Sequence, residues 1–325
     1  MKSYNVTQYG KPEAVVTMIE TEKPVPQKNQ VLVKVKAAPI NDYDWSVTSG
    51  KPMSYRLFFG ISKPRKRFQK LGMELAGVIE AAGPEVTKFK VDDAVYGDVS
   101  NHEFGSLSEY LCVSEDALVL KPEKMSFEEA CSIPHASMLA YQALIDMGKI
   151  QPNQKILING AGGGMGTFAI QIAKTFSAEI TAVDSGLKEE MLRKEGADHF
   201  IDYQKEDFTQ SGVQYDLILD PRTNRSPWKF LRSLKKGGRY VTVGGQSGKL
   251  IQILFLKGLI RLFTGKKVMI LGLRANEHLG QINELHDQGI IKPVIDGPHP
   301  FEEVPQRIQY FGDARHQGKV VIAIS

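Results

Sequence analysis

Between Lys155 and Lys174 the chain reads KILINGAGGGMGTFAIQIAK, five glycines set between an apolar run and an amphipathic one. Small residues at this spacing suit chemistry in which backbone must approach a ligand. In register the turn is Ala161-x-Gly163-x-x-Gly166, with Gly162, Gly164 and Met165 between, an alanine-first form of the fingerprint that cradles the pyrophosphate of a dinucleotide. Ala161 turns the chain, Gly163 lets the backbone approach the phosphates, and Gly166 allows helix and strand to pack closely. The helix that opens here offers unpaired N–H groups and partial positive charge to an anion. A ligand-free strand-to-helix turn is the alternative reading. The strand before the glycines and the helix after them favour the first.

The fingerprint's second half lies about 20 residues on, where ITAVDSGLK ends a strand at Asp184. Asp184 stands where a carboxylate bonds the adenosine ribose hydroxyls of NAD and repels a 2′-phosphate. Ser185 and Lys188 stand where a hydroxyl and an ammonium hold that phosphate. A charge-assisted contact is worth roughly 1.5–3 kcal/mol, so Lys188 outweighs an Asp184 turned toward solvent. We favour NADP as cofactor, with NAD as the alternative.

The elements that must position these residues follow from the rhythm of the chain. QVLVKVKAAP alternates with period two, and MELAGVIEAAG and DDAVYGDV are short runs bounded by Gly, Pro and Asp, so the first third reads as an irregular β-rich domain. From Ser126, a candidate N-cap with Glu129 three residues on, helical patterns alternate with the strands KILINGA, AEITAVD, HFID, YDLILD, GRYVTVGG and KVMILGL. That alternation predicts an α/β fold with a doubly wound parallel sheet. The division expected is 1–124 with 272–325 for the β-rich domain and 125–271 for the dinucleotide-binding domain.

Composition agrees with a folded protein of about two domains: of 325 residues, 42% are hydrophobic and 24% charged. Two cysteines, Cys112 and Cys131, are too few for a disulfide framework or a four-thiolate zinc site. The opening MKSYNVTQYGKPE has no apolar stretch after its lysine, and a reducing, cytoplasmic location is expected. No nucleic-acid partner is expected. The net charge of +4 is unevenly spread, because no acidic residue lies between Asp220 and Glu277 while 13 lysines and arginines do, leaving 28 basic against 37 acidic residues elsewhere.

The chain resembles the medium-chain dehydrogenase/reductase superfamily, and within it the zinc-independent quinone oxidoreductase branch. The resemblance runs nearly the whole length and is carried by AAPINDYDW, LGMELAGVIEAAG, FGSLSEY, the glycine turn, GADHFIDY and GKVVI. It implies a GroES-like β-rich catalytic domain joined to a Rossmann-type one. Zinc alcohol dehydrogenases of the superfamily have a cysteine ligand where Asn41 stands and a histidine where Met73 stands. Catalytic zinc needs three protein ligands, so no metal is expected, and His102 and His135 read as surface or packing residues. Two departures from the family pattern stand out: Asp92 replaces a glycine, and DPRTNRSPWKF replaces a small glycine-rich loop near the cofactor.

Without a Lewis acid, the substrates that fit delocalise negative charge themselves. The resemblance therefore implies hydride transfer to hydrophobic quinones or α,β-unsaturated carbonyls, with Asn41 and Tyr43 lining the nicotinamide pocket. Trp45 and Tyr55 form an aromatic wall there or pack in the core. The resemblance also places Lys319 at a pyrophosphate contact, with a generic surface lysine as the alternative, and Gly244 near the nicotinamide ribose. A dinucleotide-binding sensor or scaffold with little turnover is the competing function.

One segment remains. Residues 249–267, KLIQILFLKGLIRLFTGKK, carry ten large apolar residues in the 14 positions from Leu250 to Phe263, too apolar for a solvated helix face and too short to span a bilayer. Three readings stand: a wall of the substrate pocket, a homodimer interface, or peripheral contact with an anionic membrane.

Overall fold

The computed structural model describes residues 1–324, and their contacts divide the chain into two units. One comprises residues 1–135, 275–279 and the chain from 295 onward; the other comprises 136–274 and 280–294. This division differs from the expected one in three places. Residues 125–135 stay with the first unit, where the helix Phe127–Ser132 packs on its sheet, and 272–274 and 280–294 join the second. There the Gln171 side chain accepts from the Lys292 N–H at 2.8 Å and donates to its carbonyl at 2.9 Å.

The first unit opens with an antiparallel pair, β1 (Lys2–Val6) and β2 (Val16–Glu20). Its main sheet takes β3 (Gln30–Ile40), β4 (Glu74–Ala82), β5 (Ala94–Asp98), β6 (Tyr110–Ser114) and β7 (Val119–Leu120). The period-two pattern of β3 puts Val31, Val33 and Val35 fully inside while Lys34 and Lys36 stay half-exposed. Ser126 and Glu129 form the expected capping box, side chain to backbone at 3.1 and 3.0 Å. The apolar run after it is not one helix: Phe127–Ser132 is followed by Pro134–Tyr141 and then a wider turn, Gln142–Met147, because Pro134 supplies no N–H to continue the first.

The second unit holds six parallel strands: β8 (Lys155–Asn159), β9 (Glu179–Asp184), β10 (His199–Asp202), β11 (Tyr215–Asp220), β12 (Leu234–Thr242) and β13 (Lys267–Ile270). Their spatial order is β10-β9-β8-β11-β12-β13. This is the doubly wound Rossmann order, which reverses direction at β8, the strand that carries the glycine turn. Ile156, Leu157 and Ile158 are wholly buried, as a strand covered on both faces requires. The chain then returns to the first unit with β14 (Ile295–Pro300) and β15 (Lys319–Ala323). They complete the order β14-β15-β3-β4-β5-β7, and β6 also pairs with β3.

Candidate active site: a glycine turn and a buried ion-pair network

In the second unit, Gly160 leaves β8 at φ +97°, a conformation open to glycine at little cost. Its N–H and that of Ala161 both donate to Val183 O, at 2.8 and 3.2 Å. Gly163 is the N-cap of the helix Gly164–Lys174, and no side chain caps that end. The first amides of the helix therefore remain for an anion. A Cβ on Gly166 would lie 2.3 Å from Ala161 O, so the helix can meet the strand end only without one. These features fit a dinucleotide pyrophosphate.

The ribose end differs from the expectation. Asp184 is only 8% exposed: one carboxylate oxygen accepts from the Gly162 N–H at 2.8 Å and the other from the Ser185 N–H at 2.8 Å. Lys188 Nζ lies 3.4 Å from that second oxygen, and Lys188 is itself 3% exposed. Asp184 is thus not turned to solvent, and Lys188 does not project as a surface ammonium. A buried carboxylate needs a counter-charge, and Lys188 supplies it. Ser185 is also buried, at 7%. Sequence reasoning passed over Tyr203, which is 46% exposed and whose N–H donates to Asp184 O at 3.1 Å. Its signal was its place directly after the strand HFID.

Gly244 follows β12, where its N–H donates to Thr242 Oγ1 at 3.3 Å, and nothing lies within 4 Å of where a Cβ would stand. The unusual DPRTNRSPWKF loop is organised by Asp220, wholly buried, which accepts from Asn159 Nδ2 and the Tyr240 hydroxyl, both at 2.7 Å, and from the Thr223 N–H at 2.8 Å.

In the first unit, Asn41 is the N-cap of the helix Asp42–Ser49. Asp44 Oδ2 accepts from its N–H at 2.9 Å, and Asp44 Oδ1 from the Gly72 N–H at 2.6 Å. The Asn41 side chain, 5% exposed in all, donates through Nδ2 to Glu74 Oε2 at 2.9 Å and accepts at Oδ1 from Lys319 Nζ at 2.7 Å. Lys319 Nζ also reaches Glu74 Oε2 at 2.5 Å. Lys319 is therefore neither a surface lysine nor a free phosphate contact. It is the counter-ion of Glu74, a carboxylate at 0% exposure. The amide orientation of Asn41 follows: a cation holds its oxygen and a carboxylate holds its nitrogen.

The aromatic residues divide. Tyr43 is buried, stacked on Phe104 at 4.0 Å, and its hydroxyl donates to the carbonyls of Lys70 and Phe68 at 3.0 and 3.4 Å. Burial holds that phenol far above its ordinary pKa. The Tyr43 hydroxyl is thus committed to main-chain carbonyls and its ring packs in the core, where the expectation had it lining the nicotinamide pocket. Trp45 lies over Gly312, where a Cβ would stand 2.4 Å from the indole, so its role is packing too. Tyr55 is half-buried, edge-on to Phe59 at 6.0 Å, and burial raises its pKa.

One pair was missed. His135 Nδ1 lies 2.7 Å from Asp98 Oδ2, and the His135 N–H donates to Glu74 Oε1 at 2.7 Å. Nothing in the local sequence marks these residues as partners, since β5 and the helix after Ile133 are brought together only by the tertiary fold. Met73, at 5% exposure, belongs to the apolar core. Among the described residues no three His, Cys, Asp or Glu side chains are grouped to hold a metal ion.

Two family models match the chain, the alcohol dehydrogenase GroES-like domain over residues 27–123 and the zinc-binding dehydrogenase over 195–322. A 2-methylene-furan-3-one reductase of Solanum lycopersicum is 33% identical over 99% of this chain and 79% of its own length. An NADPH-dependent alkenal/one oxidoreductase of Arabidopsis thaliana, a chloroplastic protein, is 30% identical with the same coverage, 99% and 79%. Among solved structures, the quinone oxidoreductase of Coxiella burnetii superposes with a TM-score of 0.84 at 25% identity, covering 100% of this chain and 99% of that one. The site does not fit the zinc named in the second model, because Asn41 and Met73 offer no suitable donors there. With its GroES-like and Rossmann units and these relatives, the chain belongs to the quinone and alkenal oxidoreductases of the medium-chain dehydrogenase/reductase superfamily.

Proposed function

We propose that the chain is an NADPH-dependent reductase of hydrophobic quinones and α,β-unsaturated carbonyls. The observation that carries this reading is the uncapped helix start at Gly163, on the Rossmann switch point, in a protein whose first unit holds a buried network around Asn41. When bound, the reduced nicotinamide supplies hydride to a conjugated carbon. The rest is the work of side chains. Asn41 commits one Nδ2 hydrogen to Glu74 and keeps the other, and Lys319 prevents the amide from flipping its oxygen toward a substrate. The second Nδ2 hydrogen of Asn41 is thus the one offered to a substrate oxygen as charge develops on it.

The preference for NADPH over NADH is supported by the Asp184–Lys188 pair. A carboxylate already matched by an ammonium opposes a 2′-phosphate far less than a free one. NADPH consumption with phenanthrenequinone and a series of alkenals, followed by loss of nicotinamide absorbance, tests the reading. Tight cofactor binding with turnover of neither class would overturn it in favour of a binding protein.

The reading extends to a homodimer. The helix Ser247–Thr264 buries Ile253 and Ile260 and presents Ile251, Leu254, Phe255, Leu259, Leu262 and Phe263 at 52–79% exposure. Beside it β13 ends the sheet. A clustered apolar face next to an edge strand suits a second copy of the same surface.

A further inference from the structure

We propose that His135 is the general acid of the reduction, passing the proton on its Nε2 to the substrate oxygen; the assignment rests on the reductase reading above. The imidazole is held from behind. Asp98, whose side chain is 0% exposed, accepts from His135 Nδ1 at 2.7 Å and also from the Ser100 N–H at 2.9 Å. The Asp98 backbone is tied to Asn276 on both sides, its N–H donating to Asn276 Oδ1 at 3.0 Å and its carbonyl accepting from Asn276 Nδ2 at 2.9 Å. A carboxylate so fixed sets the tautomer of its histidine, with hydrogen on Nδ1 and Nε2 turned outward.

The backbone that carries the ring is also anchored to the Asn41–Glu74 network. Glu74 accepts the His135 N–H on Oε1 and the Asn41 amide on Oε2. The main chain of His135 and the side-chain amide of Asn41 thus hang from the two oxygens of one carboxylate. The His135 side chain is 16% exposed, and among the described residues Nε2 has no protein partner. Competing donors are closed off: the Tyr43 hydroxyl is spent on two carbonyls, Lys319 on Glu74 and Asn41, and Cys131 is fully buried.

Burial alone would lower the His135 pKa, but the hydrogen bond and charge of Asp98 outweigh it, helped by Glu74 and Asp42, so the net shift is upward. The charged groups around the ring are Asp98 on β5, Glu74 on β4, Asp42 at the start of its helix, and Lys319 on β15, which is matched to Glu74. Asp98 is correspondingly held below the usual carboxylate range: its burial is more than offset by the hydrogen bond and charge of His135.

Hydride from NADPH forms a C–H bond at the β-carbon of an alkenal, the C=C π pair shifts, and the carbonyl oxygen gains the negative charge. The His135 imidazolium gives its Nε2 proton to that oxygen and becomes neutral, keeping its Nδ1 hydrogen on Asp98. The enol then tautomerises to the saturated aldehyde, and water returns a proton to His135. One alkenal, one NADPH and one proton become one aldehyde and one NADP⁺.

The test compares full-length wild type with His135→Asn, using NADPH with an alkenal and with phenanthrenequinone. Asn retains an N–H for Asp98 and the backbone bond to Glu74 but carries no transferable proton. The expected result is an alkaline decline of kcat in wild type that the variant lacks, a fall in the variant's alkenal kcat of about a hundredfold or more, and unchanged NADPH affinity and melting temperature. Equal kcat with the same pH profile would overturn the assignment. A wild type that binds NADPH and reduces neither substrate would overturn the reductase reading and the assignment with it. A second measurement does not depend on turnover or on the variant's folding: nitrogen NMR titration of His135 in cofactor-free wild type. An Nδ1-protonated ring with a pKa above that of ordinary imidazole supports the assignment, and an Nε2-protonated neutral ring overturns it.

Discussion

Lys319 Nζ lies 2.5 Å from Glu74 Oε2, with the two side chains 5% and 0% exposed. Removing one partner of such a pair strands the other charge without water. Lys319→Met should therefore destabilise the protein by about 3–5 kcal/mol, and adding Glu74→Gln should recover much of the loss. Both are read by urea unfolding. A loss under about 1 kcal/mol for the single change would mean that solvent reaches the pair.

The Tyr43 hydroxyl bonds only to main-chain carbonyls. Tyr43→Phe should leave kcat with quinone and alkenal within about twofold of wild type and cost roughly 1 kcal/mol of stability, the worth of an ordinary hydrogen bond. A large fall in kcat with stability unchanged would return Tyr43 to the chemistry. Asn41→Ala should do the opposite, lowering turnover in protein that still folds.

These two residues show how far the sequence could be read. The glycine turn was legible because its function lies in backbone spacing: Ala161, Gly163 and Gly166 must be small wherever the chain goes. The parallel sheet was legible because six apolar runs alternate with helical ones. The tip of the third element was half-legible. ITAVDSGLK shows that Asp184 and Lys188 are near each other, but not that the ammonium turns inward to meet the carboxylate. Asn41 and Lys319 could be singled out, but the pairings of the Asn41–Glu74–Lys319–His135–Asp98 network were not legible. Its members come from five separate stretches, and the partner of a buried charge is set by tertiary packing rather than by any local pattern. Tyr43 misled for the same reason, since a tyrosine beside a site residue looks alike whether its hydroxyl faces a substrate or the core.

The Asp184–Lys188 pair makes cofactor choice testable. Lys188→Ala leaves Asp184 as an unmatched buried anion at the end of β9. On the reading proposed above, the unmatched carboxylate should repel a 2′-phosphate, so NADPH should bind about ten- to hundredfold more weakly, and NADH should change much less. Fluorescence titration of both cofactors checks this. Equal weakening of the two would assign Lys188 to the shape of the turn rather than to neutralising Asp184.

Asp44 supplies a pH signature. Burial pushes its pKa up to about 7, against the opposing effect of the N–H groups of Asn41 and Gly72. In the unfolded chain an aspartate titrates near 4, so the folded state holds this proton more tightly. The contribution to stability is full below about pH 4, declines as pH rises, and is gone above about pH 7. Asp44→Asn should flatten that part of the stability–pH curve, measured by urea unfolding at several pH values between these limits. A curve that keeps its slope in the variant would place the titration elsewhere.

The apolar face of the helix Ser247–Thr264 decides the assembly. Leu256, in the middle of the segment, is partly buried against the sheet core, so changing it would disturb folding and association together. Leu262 is 75% exposed and Phe255 77%, so either can be altered with little effect on the single chain. If this face joins two copies, Leu262→Glu places two like charges in an apolar contact and should convert a dimer into a folded monomer, seen by light scattering with the melting temperature of the monomer preserved. The cationic surroundings allow a different outcome to be recognised, since Lys249, Lys257 and Arg261 lie on the same helix. A wild-type monomer that floats with anionic vesicles at low salt and is released at high salt would show that a lipid surface, and not a second copy, covers these side chains. A wild-type dimer that ignores vesicles and survives Leu262→Glu would move the interface to β13 alone.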